Sequence, residues 1–338
     1  MPSRRSTPAT SEGREARPRA VRTRARKRQP GHVPLRIAIL SRKRTLYSTR
    51  RLTEAARAFG HEPVVLDTLR CNLLLEKGRP RIFLDGEPVE GIDVVIPRIG
   101  ASITGYGLAV VNQFDMMGVP VLNNSVPIAR ARDKLRCLQL LARFGCDVPR
   151  TAMMRDRSDL DRAVERIGGL PVIVKLLQGT QGVGVMLAHT TKELQSILDT
   201  MWTLDQEILL QEFVAESRGR DVRALVVGDR VVGAMRRVAR VQGEFRSNIH
   251  RGGAGEAVEL PPAYAEEAVR AARIIGLEVA GVDMLESAAG PRVTEINSSP
   301  GLEGLEKATG IDVAGAVIAH AVEFARARAS GWSRPRQI

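Results

Sequence analysis

Three residues near the carboxy terminus have the types and the spacing of a magnesium site. Glu295 and Asn297 lie two positions apart, so on an extended strand their side chains point to the same face. Asp283 lies in the preceding apolar segment, which is predicted as the neighbouring strand. Two carboxylates and an amide oxygen on one surface suit Mg²⁺, which also binds phosphates. The alternative is a polar strand edge facing solvent; the Ser-Ser-Pro-Gly run at 298–301 ends the strand abruptly and favours a site.

Two lysines and a glycine-rich loop have the chemistry of a phosphate site. Lys175 is the one charged residue in an apolar run at 171–177, where its burial is costly unless an anion meets it. Lys134 lies on a predicted helix and can reach a neighbouring cleft, although a lone helical lysine is usually just solvated. A glycine-rich loop alone is more often a plain hairpin, but its backbone N–H groups can wrap phosphates, and Lys175 just upstream favours that interpretation. The loop glycines are Gly179, Gly182 and Gly184.

The next strand and hairpin offer groups for a nucleoside. A predicted strand at 207–214 carries Glu212 and Phe213 near its end, where backbone groups can bind an adenine edge between apolar side chains. Asp221 follows nine residues after Glu212 and is a candidate for ribose hydroxyls. Alternation places Arg223 on the same face as Asp221.

A loop at 243–255 is rich in glycine and in hydrogen-bond donors, including Arg246, Ser247 and Asn248. Arginine forks suit carboxylates and phosphates, and glycine permits a close backbone approach to a ligand. The alternative is an exposed loop with incidental charges.

The elements that position these residues alternate between strand and helix. Apolar runs at 35–40, 63–67, 94–98 and 119–122, with helices between them, predict a small open α/β domain to about residue 125. A single helix is predicted from a cap at Ser125 to Gly145. The remaining predictions are a hairpin turning at Gly228-Asp229, helices at 261–275 and 312–328, and a turn at Gly290-Pro291 between the two strands of the magnesium site.

Composition and charge limit the classes of protein to which this chain can belong. The chain has 338 residues, a net charge of +13 and an ordinary hydrophobic content of 43%. Residues 1–30 hold ten Lys/Arg and two Glu, a net of +8, with almost no large apolar residues. Such a tail attracts RNA or another acidic surface, or is a solvated extension. Three cysteines without a CxxC pair predict reduced thiols and a cytoplasmic location, and no apolar run approaches the roughly 18 residues that span a bilayer.

The sequence lacks the motifs that several other enzyme chemistries require. The first strand–helix turn at 41–45 has no glycine, so a dinucleotide fingerprint is absent. The chain contains no Gly-Lys dipeptide of a Walker A loop, no GxSxG elbow, no HExxH helix and no zinc pattern. NAD and FAD are therefore not assigned. A cysteine nucleophile is possible in principle, but Cys137 and Cys146 fit the predicted helix and its end.

The order of these motifs resembles that of the ATP-grasp ligases, and within them the RimK family of ribosomal protein S6–glutamate ligases. The match covers residues 35 to about 325, and the basic tail departs from a family whose members usually begin at the first strand. The stretches that carry the resemblance are 39–42, 95–100, 128–136, 245–253 and 299–312, together with Gly281-Val-Asp283 and Glu295-Ile-Asn297.

The resemblance implies an α/β fold of the α+β ATP-grasp type. Its predicted parts are a disordered basic tail (1–34), a pre-ATP-grasp α/β domain (35–125), a two-lobed ATP-grasp domain (126–325) and a frayed carboxy terminus (326–338). It further implies that ATP is bound by Lys134, Lys175, the glycine loop, Glu212, Phe213, Asp221, Arg246, Ser247 and Asn248, that two Mg²⁺ ions (with Mn²⁺ as a substitute) are held by Asp283, Glu295 and Asn297, and that the catalytic groups are Arg246, Asn248 and Arg223.

The activity implied is the joining of L-glutamate to the carboxy-terminal glutamate of ribosomal protein S6 through an acyl phosphate. Two alternatives stay open. One is a related ligase acting on a small molecule or a carrier protein; the other is a ribosome- or RNA-binding protein that works through its basic tail. No membrane partner is predicted, and the sequence leaves association with further copies of the chain open.

Overall fold

The computed structural model describes residues 33–177, 184–239 and 254–330. The helices are α1 (Tyr47–Ala58), α2 (Thr104–Met116), α3 (Ser125–Arg132), α4 (Lys134–Arg143), α5 (Leu160–Arg166), α6 (Thr191–Thr203), α7 (Pro262–Ile275), α8 (Glu303–Thr309) and α9 (Val313–Ala329). The strands are β1 (Arg36–Leu40), β2 (Glu62–Leu66), β3 (Cys71–Leu74), β4 (Arg81–Leu84), β5 (Glu87–Pro88), β6 (Val94–Pro97), β7 (Thr151–Met153), β8 (Val172–Leu176), β9 (Val185–Ala188), β10 (Ile208–Glu212), β11 (Arg220–Val227), β12 (Arg230–Val238), β13 (Ala254–Ala257), β14 (Val279–Ser287) and β15 (Gly290–Asn297).

The first sheet is parallel, with strand order β2-β1-β6. Both of its faces are buried, because Ile37 and Ile39 enter one apolar cluster and Ala38 and Leu40 enter another. The strand predicted at 119–122 is reduced to one parallel bridge, between Val95 and Val121. Strands β3, β4 and β5 form a separate antiparallel sheet beside it.

Two antiparallel sheets make up the rest of the described chain. The smaller has the order β7-β10-β8-β9, and its apolar face packs on α5 and α6 through Leu160, Leu194 and Leu198. The larger has the order β13-β12-β11-β14-β15 and packs on α4 and α7. On β11, Val222 and Ala224 face those helices, so alternation turns Asp221 and Arg223 to the opposite face.

The helix predicted from 125 to Gly145 is two helices that break at Asp133. The Asp133 side chain accepts a hydrogen bond from Arg136 N (3.0 Å), which caps α4, and the Asp133 backbone is extended. The predicted cap at Ser125 is wrong: Asn124 takes the cap position without a side-chain bond, and the Ser125 hydroxyl contacts Asn112 instead. Lys134 therefore opens α4 rather than lying inside a longer helix.

The turn before β15 and the end of the last helix differ from the predictions. The turn before β15 is formed by Ala288 and Ala289, and Gly290 opens the strand with a φ of 116°. The predicted fraying begins too early, because α9 continues to Ala329. Helix α8 was not predicted. The basic tail up to residue 32 lies outside the described residues, as do 331–338.

A buried asparagine joins the first sheet to the β14–β15 hairpin. Asn123 Nδ2 donates to Val279 O (2.8 Å) and Ser298 O (3.1 Å), and its Oδ1 accepts from Glu278 N (2.7 Å) and Val279 N (3.0 Å). The side chain thus uses both donors and both acceptor positions that an asparagine has.

Replacing Asn123 by alanine is expected to lower the free energy of unfolding by about 3 kcal/mol or more, because four backbone groups at buried or partly buried positions lose their partner. Denaturant unfolding measures this change. The matched control is Asn72→Ala on exposed β3, expected within about 0.5 kcal/mol of wild type. Equal stabilities of the two variants would show that Asn123 does not join the two parts.

Within the described ranges, no single helix is long and apolar enough to cross a membrane; α8 and α9 meet that criterion only together, as a pair bent by 118°.

Candidate active site

The β14–β15 hairpin brings the three predicted oxygen donors onto one face. Asp283 lies directly opposite Glu295, and Gly281 lies opposite Asn297. A β-bulge at Thr294 lets Val293 stay in the core while Glu295 turns to the site face, and Thr294 Oγ1 donates to Asp283 O (3.2 Å). A Cβ on Gly281 would lie 2.9 Å from Pro300 Cβ, so glycine is required for the chain after Asn297 to pack here.

Asp283 is held by two arginines. Arg223 donates to both of its carboxylate oxygens at 2.6 Å, and Arg237 Nη2 lies 2.9 Å from Oδ2. Burial by itself would raise the pKa of Asp283, but the two guanidinium groups outweigh it and hold the pKa below its ordinary value. Arg223, expected to face a substrate, therefore reaches the site through Asp283.

Arg237 is a site residue that the sequence reasoning missed. It is 4% exposed and pairs with Asp221 as well as with Asp283, donating from Nε to Asp221 Oδ1 at 2.7 Å and from Nη2 to Oδ2. The predicted ribose ligand Asp221 is thus buried and bonded to a guanidinium. The signal available was the hairpin register, which places Arg237 across from Asp221 only when a bulge at Leu225/Val226 is included.

Both predicted lysines lie close enough to Glu295 for its negative charge to favour their protonated forms. Lys175 Nζ donates to Gln211 Oε1 (2.6 Å), and Gln211 in turn donates to Thr151 Oγ1 (2.8 Å). Lys134 Nζ donates to Leu176 O (2.9 Å). Burial lowers the pKa of Lys175 to about 8, with Glu295 acting against the shift and Lys134 adding to it.

The affinity for ATP is expected to fall as pH rises through about 8, because Lys175 loses its charge there and a neutral amine no longer attracts phosphate. Calorimetric titration of ATP from about pH 7 to about pH 9.5 measures this step. Lys175→Met should bind about tenfold to hundredfold more weakly near pH 7 and lack the step. The control is Lys192→Met on an exposed helical position; a step retained in Lys175→Met would contradict the assignment.

The predicted adenine-binding strand end is fixed by ion pairs. Glu212 bonds Arg150 Nε (3.2 Å) and lies 2.8 Å from Arg292 Nη1. Burial opposes the shift, but the two arginines hold the pKa of Glu212 below its usual value. Phe213 beside it is half-buried.

Several predicted site residues lie outside the described part of the chain: Gly179, Gly182, Arg246, Ser247 and Asn248. Gly184, which resumes the chain after the glycine loop, is described. Its φ is 77°, and a Cβ there would lie 2.6 Å from Leu176 Cδ1, so both the backbone and the packing require glycine.

The donor set fits Mg²⁺ with one complication. Glu295 is exposed and forms no ion pair with any described residue, and Asn297 supplies an amide oxygen two positions on. Asp283 offers oxygens that Arg223 and Arg237 already bond, so a metal there must share them. In the described ranges, no group of three or more His, Cys, Asp or Glu residues could hold a metal ion. The predicted set of Asp283, Glu295 and Asn297 therefore depends on the amide oxygen of Asn297 as its third ligand.

The thiols have the properties of core residues. Cys71, Cys137 and Cys146 are free and buried, and burial raises the pKa of Cys137 and of Cys146 to about 12. A thiolate nucleophile is not available at ordinary pH.

The fold and the site together define the class. ATP-grasp ligases of known structure superpose on this fold over most of its length. The ATP-grasp ligase PsnB, solved with Mg, ADP and a phosphomimetic variant of a minimal precursor, is 26% identical and superposes with a TM-score of 0.68, covering 86% of this chain and 99% of PsnB. D-Alanine–D-alanine ligase from Bacillus anthracis, at 18% identity and a TM-score of 0.60 over 89% of this chain and 100% of that one, shares the fold.

The chain belongs to the RimK-like ATP-grasp family. The RimK pre-ATP-grasp domain matches residues 35–128, and the RimK-like ATP-grasp domain matches residues 131–321. A protein of Thioalkalivibrio sulfidiphilus named "Probable alpha-L-glutamate ligase" is 54% identical over 86% of this chain and 97% of its own length. One of the same name from Pseudomonas paraeruginosa is 52% identical over 84% of this chain and 94% of its length.

Family membership confirms the predicted resemblance, the ATP-grasp fold and the enzyme class. The chain is an ATP-dependent, ADP-forming ligase, and ATP and Mg²⁺ are the co-substrate and metal typical of its family. The roles of the individual site residues stay predictions.

Proposed function

We propose that this ligase joins L-glutamate, through its α-amine, to the carboxy-terminal glutamate of an acceptor protein, ribosomal protein S6. Curated relatives carry the name "Probable alpha-L-glutamate ligase", and PsnB, a structural relative, was solved with a minimal precursor. The observation that carries the proposal is the exposed Glu295 opposite Asp283 and near two cleft lysines, a site for a metal-bound phosphoryl group beside an acid.

The proposed reaction has two steps. An oxygen of the acceptor carboxylate attacks the γ-phosphorus of ATP, ADP leaves, and an acyl phosphate forms. The α-amine of glutamate then attacks the acyl carbon, phosphate departs with that oxygen, and the amine loses a proton. Mg²⁺, when bound, neutralises charge on the transferring phosphoryl group.

The protein supplies charge and shelter for these steps. Lys134 and Lys175 stabilise negative charge from one side of Glu295, and Arg223 and Arg237 fix the carboxylate of Asp283. We further propose that Arg246 holds the acceptor carboxylate, and that the glycine loop excludes water that would hydrolyse the acyl phosphate.

The decisive experiment incubates the full chain with ATP, Mg²⁺, L-glutamate and purified S6 and follows S6 by mass spectrometry. The expected result is a mass increase in steps of one glutamate residue, absent when ATP is omitted or when the terminal glutamate of S6 is removed. An increase on other peptides or small acids, with none on S6, would favour the related ligase that acts on a different acceptor. ADP formation without a mass increase on any of the acceptors tested would overturn the proposal.

We also propose that the basic tail, residues 1–30, draws the enzyme to ribosomal RNA in the cytoplasm. A chain lacking these residues should lose salt-sensitive RNA binding while retaining ligation of free S6. Unchanged RNA binding would show that residues 1–30 do not carry it.

A further inference from the structure

Two arginines at the edge of the site have no carboxylate partner among the described residues. Arg98 directly follows β6, at the carboxyl end of the parallel sheet, where open α/β sheets bind ligands. Its Nη2 donates to Pro300 O (2.6 Å) and Ser299 O (3.4 Å), just after the metal hairpin. Arg132 ends α3, donates from Nη2 to Ile99 O (2.5 Å) and lies within electrostatic range of Glu295. The pair therefore adjoins the reaction centre.

The lack of a counter-ion sets this pair apart from the arginines that hold Asp283. Among the described residues, no carboxylate lies within 4.0 Å of Arg98 or Arg132, whereas Arg223 and Arg237 both bond carboxylates. Burial, together with the nearby Arg132, lowers the pKa of Arg98 to about 10. Two desolvated cations held close together are costly unless an anion joins them.

Unpartnered polar groups surround the same place. Arg132 Nε, Asn297 Nδ2 and the hydroxyls of Ser298 and Ser299 are buried, and none has a hydrogen-bond partner in the described part of the chain. Buried polar groups are almost always satisfied, so a cluster of orphans marks a place for a ligand. Most of these groups donate, and the ligand is therefore an anion.

The proposed reaction brings more carboxylates than it consumes. The incoming glutamate carries two, neither of which reacts, and the terminal glutamate of the acceptor carries two, of which one is activated. Three spectator carboxylates thus enter a site that already holds Asp283 and Glu295. Guanidinium forks match planar carboxylates, whereas the two lysines suit phosphate as point charges.

We propose that Arg98 and Arg132 form a carboxylate-binding subsite that holds the unreacting side-chain carboxylate of a glutamate substrate beside the reaction centre. The inference rests on the proposed function and adds the basis of its selectivity for acidic substrates. The carboxylate belongs either to the incoming amino acid or to the acceptor terminus, and the experiment separates these sources.

The experiment compares wild type with Arg98→Gln and Arg132→Gln, using coupled ADP release for kinetics. One arm varies the incoming amino acid, L-glutamate against L-glutamine; the other varies the last residue of an acceptor peptide, glutamate against glutamine. The variants should raise KM about tenfold to hundredfold for the glutamate form in one arm, leave KM for ATP within about twofold, and lose the preference for glutamate over glutamine in that arm. The arm affected identifies the source.

The controls separate recognition from folding. Arg136→Gln removes an exposed arginine without an ion pair in the described chain and should behave as wild type. Arg98→Lys and Arg132→Lys retain the charge and should recover part of the preference, while thermal unfolding identifies any variant that fails to fold. Equal losses for glutamate and glutamine would show a structural role, and a rise in KM for ATP alone would show a phosphate site; either overturns the subsite.

A binding measurement keeps this test independent of the acceptor. L-Glutamate is titrated into each protein loaded with Mg²⁺ and a non-hydrolysable ATP analogue. If wild type modifies no acceptor, the proposed function fails, and the titration still reports on the subsite. With the incoming amino acid as the source, both glutamine variants should bind L-glutamate more weakly. If neither the titration nor the acceptor arm distinguishes wild type from the variants, the subsite is wrong.

Discussion

Replacing Glu295 with alanine is expected to lower the rate of ATP-dependent ligation by about three orders of magnitude or more while leaving the fold intact. Glu295 is exposed, opposite Asp283, and forms no ion pair with a described residue, so its carboxylate is available to a metal and adds little to stability. A metal ion contributes several kcal/mol of transition-state stabilisation, and each 1.36 kcal/mol is worth about tenfold in rate. Steady-state ADP release and mass spectrometry of the acceptor measure the loss.

The matched control is Glu266→Ala, which removes a carboxylate from an exposed face of α7. It should turn over as wild type does. Glu295→Asp should retain part of the activity and need more Mg²⁺ for half-maximal rate, since it keeps the oxygens but shortens their reach. Near-normal turnover of Glu295→Ala at low Mg²⁺ would contradict the metal assignment.

Replacing Arg237 with methionine is expected to be the most destabilising of the single changes, at about 3–5 kcal/mol. Arg237 is buried between Asp221 and Asp283, and burial would lower its pKa were it not for those carboxylates, which raise it well above its ordinary value. Without the guanidinium, two buried carboxylates face each other, and among the described residues Arg223 remains as the arginine bonded to Asp283. Chemical denaturation monitored by circular dichroism measures the change.

A double variant tests the cause of that loss. Adding Asp221→Asn to Arg237→Met removes one uncompensated charge and should restore about 1–2 kcal/mol. Arg236→Met is the control, because Arg236 directly precedes Arg237, is half-buried and bonds Glu286. This change should cost about 1 kcal/mol or less. Equal costs for Arg236→Met and Arg237→Met, or no recovery in the double variant, would show that the buried charges do not couple.

Alternation was enough to predict much of the site. Glu295 and Asn297 lie on one face because they are two positions apart on a strand, and Asp283 lies across from them because the two strands form a hairpin. The apolar runs and their glycine and proline boundaries also predicted most strands and helices. These features are local, so a single sequence contains them.

Register and long-range partners were not predictable in the same way. An unbulged hairpin turning at Gly228 would pair Asp221 with Arg236, and one bulge shifts the partner to Arg237. The break at Asp133 was missed because Ala-Arg-Asp-Lys contains no glycine or proline, and an aspartate cap decided it. Asn123 bonds residues about 155 positions away, and no local pattern indicates such a contact.

We propose that this chain activates an acid by transferring the γ-phosphoryl group of ATP to it at the Asp283–Glu295–Asn297 face. The most direct test labels the acceptor carboxylate with ¹⁸O and analyses the inorganic phosphate released during ligation. We expect one ¹⁸O atom in the phosphate for each amide bond formed, because the acyl-phosphate oxygen leaves with phosphate. Phosphate without ¹⁸O, alongside normal bond formation, would contradict it.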